Sequence, residues 1–171
     1  MTGPALRFEG RVWVVGNDIN TDLILPIQAF YLPAEEQAKH VFSANRPDWA
    51  AQVCPGDILV GGRNFGMGSS RPAARSLKNL GLACLVAQSI NGLFFRNCVN
   101  FAFPAIACPG LAEAFTEGER ARVDIDAAEV FNLSRGTRLS ATPVPPALRA
   151  LISAGGVFPM LEREGSIAAQ R

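Results

Sequence analysis

Residues 57–81, DILVGGRNFGMGSSRPAARSLKNLG, indicate the fold of the whole chain. The stretch opens with a short apolar run typical of a buried strand, and residues 73–80 have the spacing of a helix. Between them lies a glycine-rich loop that ends in Ser69, Ser70 and Arg71. Glycines allow a backbone to approach a ligand closely. The stretch therefore predicts a strand, a binding loop and a helix in direct succession.

The start of this helix favours an anion. Pro72 suits a first helical turn, and we expect Ser69 or Ser70 to cap it. A helix N-terminus carries free N–H groups and a partial positive charge, to which Arg71 adds a full charge. Two hydroxyls and a guanidinium suit a carboxylate or phosphate, which Arg can hold with two parallel hydrogen bonds. A tight turn with a serine cap is an equally good interpretation of these residues alone.

Familiar motifs do not fit. The loop lacks the Gly-Lys-Ser/Thr ending of a P-loop, the third glycine of a dinucleotide fingerprint and the second glycine of a nucleophile elbow. Upstream, Asp18, Asn20 and Asp22 occupy alternate positions. Leu23 and Ala29 stand where a calcium loop needs Gly and Glu. We therefore expect that segment to be a turn made rigid by side-chain hydrogen bonds to the backbone.

The composition excludes several classes of function. The 171 residues suit one domain with a substantial core, and 49% of them are hydrophobic against 18% charged, which suggests a large partner interface. The formal charge of +1 gives no reason to expect nucleic acid as a partner. No apolar run approaches membrane-spanning length and no signal-peptide pattern opens the chain, so we expect a cytoplasmic protein without a membrane partner.

Cysteine and histidine offer few ligands. Cys54, Cys84, Cys98 and Cys108 are scattered without a C-x-x-C pair, so this chain alone is not expected to bind an iron–sulfur cluster or zinc. Cys84 and Cys108 lie in apolar runs and are expected to be buried thiols. His40 is the only histidine and is expected at a solvated helix end.

Apolar runs and helical patterns alternate from residue 57 to residue 108. Further strands are expected at 82–87 and 104–108, with a second helix at 89–100, so this part predicts β-α-β-α-β in a mostly parallel sheet. Outside it, strands are expected over residues 10–16 and 122–126, an extended segment over 23–26, and a hairpin over 129–133 and 137–141. Short helices are expected over residues 33–42, 49–53 and 147–153, with a docked segment at 157–163 and a frayed tail at 166–171. The fold class is therefore α/β, in one domain over residues 1–171 with its core from about 10 to 165.

This layout resembles the small subunit of 3-isopropylmalate dehydratase, the swivelling β/β/α domain of the aconitase superfamily. The resemblance lies in three stretches, namely Asn20-Thr21-Asp22 with Pro26, residues 64–71, and residues 94–100 ending at Pro104. Their order and spacing are similar to the family from Gly10 to about Gly165. The length resembles the shorter, archaeal-type branch, which also includes homoaconitase small subunits.

The resemblance implies a hydro-lyase of leucine biosynthesis that interconverts hydroxy-diacid isomers by dehydration and rehydration. It implies a heterodimer in which a separate large subunit carries a [4Fe–4S] cluster, while this chain binds no metal. By position, Ser69 resembles the base that takes the proton α to a carboxylate, and Ser70 and Arg71 resemble carboxylate-binding residues. This chain alone is therefore expected to be inactive.

The resemblance also implies supporting roles. Residues expected to support the loop or an oxyanion are Asn64, Gly66, Gly68, Thr21 and Asp22. Residues that resemble the substrate-selecting loop of the family are Tyr31, Leu32 and Pro33.

Two positions depart from the family pattern. Pro72 stands where the family usually has Glu, which removes a carboxylate near the site. Pro33 follows Tyr31-Leu32 where the family often has a cation, which disfavours homoaconitate and permits an apolar group such as isopropyl. Related dehydratase substrates (homoaconitate, dimethylmalate or a citrate-like diacid) stay open as alternatives, as does a non-catalytic paralogue that acts in assembly or regulation. The intact Ser69–Arg71 sequence argues against the paralogue.

Overall fold

A single curled sheet of seven strands organises the chain in the computed structural model, which describes residues 3–69 and 71–168. In chain order the strands are β1 (Arg7–Val14), β2 (Ile58–Gly61), β3 (Cys84–Ala87), β4 (Ala105–Ala107), β5 (Arg120–Asp124), β6 (Glu129–Asn132) and β7 (Thr137–Ser140). Their spatial order is β4-β3-β2-β1-β5-β6-β7. The pairs from β4 to β1 are parallel, and those from β1 to β7 are antiparallel. The sheet is therefore mixed, and it changes character at β1.

Short helices connect the strands and cover the sheet. They are α1 (Thr21–Ile24), α2 (Ala34–Ala38), α3 (Trp49–Gln52), α4 (Ala73–Asn79), α5 (Gly92–Asn100), α6 (Pro146–Ser153) and α7 (Val157–Arg163), with a 3₁₀ turn at Ile27–Ala29. In the described ranges, no helix combines the length and hydrophobicity that crossing a bilayer requires.

The parallel strands are apolar on both faces because both faces are covered. Successive side chains of a strand point to opposite sides of the sheet. Trp13 and Leu59 join one buried cluster, together with residues of α1, α4 and α5. Val12 and Ile58 join a second cluster, together with residues of β5, β6 and α6. Each central strand therefore contributes to two cores, which explains the continuous apolar runs in the sequence.

Most predicted elements are confirmed. The β-α-β-α-β unit is β2-α4-β3-α5-β4, and β6 and β7 form the predicted hairpin with Asn132 opposite Thr137. Cys84 and Cys108 are buried as predicted. Cys98, for which no prediction was made, is buried too, and burial raises the pKa of all three thiols. His40 is exposed in the turn after α2. The expected frayed tail over residues 166–171 lies partly outside the described residues.

Two predictions upstream of the loop need correction. Of the predicted extended segment 23–26, Leu25 is extended, but residues 23 and 24 belong to α1, because Asn20 Oδ1 accepts a hydrogen bond from Leu23 N at 2.8 Å and caps the turn. The helix predicted to end near Phe42 ends at Ala38. Phe42 has a φ of +57° and donates its N–H to Ile24 O, so it cannot continue the helix.

Candidate active site

The glycine-rich loop lies at the carboxyl ends of two neighbouring parallel strands. β1 ends at Val14 and β2 at Gly61, and the two strands pair in register there. Residues 15–20 and 62–72 therefore leave the sheet at the same edge. In open parallel sheets, this is the edge at which ligands bind.

Backbone hydrogen bonds join these two loops. The N–H groups of Asp18, Gly66 and Thr21 each donate to a carbonyl of the opposite loop at 2.7–2.9 Å. Asn20 and Met67 form an isolated parallel β-bridge. The loop after β1 therefore fixes the backbone path that leads to Ser69.

Two glycines in this path permit close contacts that no other residue allows. Gly66 has a φ of +83°, and a Cβ there would lie 2.2 Å from Cγ of Phe94. Gly68 has a φ of +113°, and a Cβ there would lie 2.9 Å from Oγ1 of Thr21. The close neighbours of these glycines within the chain are therefore Phe94 of α5 and Thr21 of α1.

Asn64 braces the start of the loop. Its φ of +55° is in the left-handed region, which Asn tolerates better than most residues. Its N–H donates to Ser89 Oγ at 2.7 Å, and its Nδ2 donates to Asp18 Oδ1 at 3.3 Å. Asn64 therefore ties this loop both to the loop after β1 and to the segment after β3.

Ser69 is exposed, and its hydroxyl faces a second hydroxyl. Ser69 Oγ lies 3.4 Å from Oγ1 of Thr21, which is almost fully buried, and either oxygen can donate. A tight turn follows, because Arg71 N donates to Ser69 O at 2.9 Å. Ser70 lies outside the described residues. The structure therefore places the hydroxyls of Ser69 and Thr21 next to each other.

The Arg71 guanidinium is held by a carboxylate and a carbonyl. Its Nη2 lies 2.6 Å from Asp22 Oδ1, and its Nη1 donates to Leu25 O at 3.1 Å. The Arg71 side chain is 16% exposed and that of Asp22 65% exposed. Both border a cleft of about 440 Å³, whose other lining residues are Asn20, Leu23, Pro26, Ile27, Gln28 and Ala44. An anion that reaches Arg71 through this cleft therefore has to share the guanidinium with Asp22 or displace it.

The prediction that Ser69 caps α4 is wrong, and the alternative cap, Ser70, lies outside the described residues. Pro72 occupies the N-cap position without a side-chain cap hydrogen bond, and the helix begins at Ala73. Ser69 is four residues before the first helical residue and takes part in its own turn with Arg71, so it is too far upstream to cap. Ser69 therefore lies outside the first turn of α4, whereas Arg71, with its full positive charge, is two residues away from Ser69.

The predicted substrate-selecting residues lie on the surface between the 3₁₀ turn and α2. Tyr31 is 83% exposed, and its ring meets that of Phe30 edge-on with the ring centroids 5.5 Å apart. Leu32 and Pro33 are also exposed. Ile27, at the start of the same segment, lines the cleft beside Arg71. The segment therefore lies next to this cleft.

Gln37 is a structurally important residue that no motif in the sequence indicates. It follows two exposed glutamates in α2, yet it is only 3% exposed itself. Its amide contacts the backbone of residues 30–32 and the side chain of Arg75. The pattern of apolar and polar residues along the chain cannot identify a buried glutamine of this kind, because its hydrogen-bond partners lie in two other segments.

The described side chains do not fit a resident iron–sulfur cluster. Among residues 3–69 and 71–168, no three His, Cys, Asp or Glu side chains are grouped so that they could hold a metal ion. Cys84 and Cys98 are completely buried in separate apolar clusters.

The chain is similar to characterised proteins over nearly its whole length. The family described as the aconitase C-terminal domain matches residues 25–109, which include the loop and Arg71. The chain is 40% identical over 158 residues to the isopropylmalate/citramalate isomerase small subunit of Methanocaldococcus jannaschii, covering 91% of this chain and 94% of that one. It is 41% identical over 161 residues to the 3-isopropylmalate dehydratase small subunit 1 of Methanopyrus kandleri, covering 92% and 94% of the two chains.

A solved structure agrees with these sequence similarities. A crystal structure of 3-isopropylmalate dehydratase from Methanocaldococcus jannaschii superposes with a TM-score of 0.88 at 26% identity, covering 94% of this chain and 96% of that one. The similarity therefore extends to the whole sheet and to both of its faces.

Proposed function

Because the chain belongs to the family of 3-isopropylmalate dehydratase small subunits, we propose that it forms one half of a hydro-lyase that interconverts 2- and 3-isopropylmalate. The observation that carries the proposal is the presentation of Ser69 and Arg71 by one loop, at the carboxyl edge of the sheet. A large subunit completes the enzyme and binds the [4Fe–4S] cluster. That cluster would supply the Lewis acid for the departing hydroxyl.

Ser69 acts as the base in this proposal. In the dehydration direction its ionised Oγ takes the proton α to a carboxylate, the C–H electron pair forms the double bond, and the substrate hydroxyl departs. A serine alkoxide needs donors and positive charge around it. Thr21 Oγ1, at 3.4 Å, can donate to it, and Arg71 stands two residues along the same turn.

Arg71 binds a substrate carboxylate, and Ser70 is proposed to assist. The planar guanidinium suits a carboxylate because two N–H groups can donate in parallel. Asp22 already pairs with one edge of that guanidinium and keeps it oriented toward the cleft. The substrate carboxylate then takes over or shares this edge, so Asp22 serves as an orienting partner in the free chain.

The surface around the site supports a protein partner. The exposed large apolar side chains include Ile27, Phe30, Tyr31, Leu32 and Met67, all in segments beside the loop or the cleft. Exposed apolar groups rimmed by polar ones mark interaction surfaces. The large subunit is the partner that would cover them while enclosing the substrate between the two chains.

The substrate group next to the diacid is proposed to be apolar and small. Tyr31, Leu32 and Pro33 place no cation beside the cleft, which suits isopropyl and disfavours a distal carboxylate. Citramalate is a second candidate substrate, because the similar Methanocaldococcus jannaschii protein is described as an isopropylmalate/citramalate isomerase subunit.

Replacement of Ser69 tests the proposal in the complex reconstituted with the large subunit. Ser69→Ala should lower kcat by about 100-fold or more, because it removes the base. Assembly, measured by size-exclusion chromatography, should be unchanged. The matched control is Ser166→Ala, an exposed serine far along the chain, which should retain full turnover.

Two results would reject parts of this proposal. Undiminished turnover by the Ser69→Ala complex would reject Ser69 as the base and favour a non-catalytic assembly role. Full turnover by the purified chain without a large subunit would reject the two-chain site.

A further inference from the structure

The segment that carries Tyr31 is anchored through its carbonyl groups by one buried side chain. The N–H groups of Phe30 and Leu32 are used locally, in bonds to Ile27 O and Ala29 O. Their carbonyls both accept from Gln37 Nε2, each at 3.0 Å. The backbone on both sides of Tyr31 is therefore held by a single amide.

The opposite side of the Gln37 amide is bound to α4. Gln37 Oε1 accepts a hydrogen bond from Arg75 Nη2 at 3.1 Å. Only one orientation of the amide fits, because carbonyls can only accept and a guanidinium can only donate. Gln37 is 3% exposed, so water cannot easily replace a lost partner.

Arg75 sits on the helix that follows the proposed catalytic turn. The residues around it in α4, Ala73, Ala74 and Leu77, are fully buried, so the helix cannot shift freely. The Arg75 guanidinium also lies 5.7 Å from the centre of the Phe101 ring. Arg75 is four residues after Arg71, and it therefore offers a fixed reference point close to the proposed site.

We infer that Gln37 and Arg75 form a bridge that positions residues 30–32 relative to Ser69 and Arg71 and thereby sets which side group of the substrate is accepted. This inference rests on the proposed function for its substrate, but the bridge itself concerns this chain alone. Both are positioning residues, since neither is exposed to the cleft. Apart from the bridge, the described hydrogen bonds and ring contacts of the segment are its local turn bonds and the contact between Phe30 and Tyr31.

The bridge can be tested in the isolated chain, because Tyr31 is the only tyrosine. Incorporation of 3-fluorotyrosine gives one ¹⁹F resonance from the tip of the segment. Gln37→Met keeps the length of the side chain and removes both donors, and it should shift and broaden this resonance. The matched control is Glu36→Gln, its exposed neighbour that pairs with Lys39, which should leave the resonance unchanged. An unchanged resonance in Gln37→Met overturns the bridge.

The consequence for specificity is tested in the reconstituted complex. The substrates are 2-isopropylmalate and citramalate, which carry isopropyl and methyl at the same carbon. Gln37→Met should lower the ratio of kcat/KM for 2-isopropylmalate to kcat/KM for citramalate by about tenfold. The reason is that an enzyme discriminates strongly between small apolar groups only when the surface that contacts them is fixed. A general loss of folded or assembled enzyme does not change this ratio. A shifted resonance with an unchanged ratio overturns the role in specificity.

Variants of Arg75 test the bridge independently if Gln37→Met fails to fold. Arg75→Met should change the resonance and the ratio in the same direction as Gln37→Met but by less, since the amide still holds both carbonyls. Arg75→Lys keeps a donor for Gln37 Oε1 and should restore both readouts. Wild-type behaviour of Arg75→Met overturns the link to α4. If the wild-type complex converts neither diacid, the proposed function fails, and the resonance still decides whether the bridge holds the segment.

Discussion

Replacement of Gly66 by alanine tests the geometry of the proposed catalytic loop most directly. The new Cβ would lie 2.2, 2.5 and 2.6 Å from Cγ, Cβ and Cδ1 of Phe94, distances that no packed methyl group tolerates. Phe94 is 1% exposed in α5, and Gly66 N is fixed to Ile19 O at 2.7 Å. Neither side of the contact can move without breaking other interactions, so the loop that leads to Ser69 has to distort.

The expected loss of stability has two parts. A residue other than glycine at a φ of +83° costs about 1–2 kcal/mol, and forcing a methyl group into a filled core costs about 1–3 kcal/mol. The reduced freedom of the unfolded chain returns about 0.4–1 kcal/mol. The net loss is about 3 kcal/mol. With an m value of about 2 kcal/mol/M, the urea midpoint should fall by about 1.5 M.

Gly118→Ala is the matched control. Gly118 has a φ of +94°, but no atom lies within 4 Å of its added Cβ. The Gly118→Ala variant therefore loses stability only through its strained backbone conformation, and its urea midpoint should fall by less than about 0.5 M. Equal shifts in the two variants, or a wild-type midpoint for Gly66→Ala, would refute the packing of this loop against Phe94.

Three further predictions follow from single sites. Arg71→Lys should raise KM about tenfold in the reconstituted complex with a smaller effect on kcat, because an ammonium cannot replace the planar fork that faces Asp22; an unchanged KM would contradict carboxylate binding by this residue. The pKa of Glu119 is lowered to about 2 by hydrogen bonds, first from the backbone N–H of Thr116 and then from Arg135. Its ionised form therefore stabilises the fold above its ordinary pKa of 4.5, and this contribution is lost as the pH falls from 4.5 toward 2. Glu119→Gln should flatten the fall of the unfolding free energy over that range, and an identical slope in wild type and variant would exclude this role. Of the four cysteines only Cys54 is exposed. A thiol reagent should therefore modify one thiol in the native chain and four in denaturant. Rapid modification of a second thiol in the native chain would contradict the burial of the other three.

The fold was largely predictable because its signals are local. Ile58, Leu59 and Val60 form a buried strand on the strength of their own hydrophobicity, and the helical spacing after Pro72 needs no distant partner. The same apolar run also accounts for the burial of its successive side chains on opposite faces of the sheet. The wrong prediction for residues 23 and 24 also has a local cause. Asn20 caps a helix over residues 21–24, whereas the apolar pattern favoured an extended segment.

The site was predictable only in part. The types of residue in the loop pointed to an anion, and family resemblance singled out Ser69 and Arg71. The pairing of Arg71 with Asp22 joins groups nearly fifty positions apart, and neither residue alone indicates it. The cap assigned to Ser69 was wrong because α4 begins only after Pro72, which occupies the N-cap position.

The sequence by itself determined the strands, the helices and the hydroxyl and guanidinium groups of the loop, because side-chain chemistry and hydrophobic period are properties of neighbouring residues. The tertiary structure alone decided that Gly66 packs on Phe94, that Thr21 faces Ser69, and that Gln37 ties residues 30–32 to Arg75. These contacts join separate elements, so they exist only once the parallel strands have brought their connecting loops to one edge of the sheet.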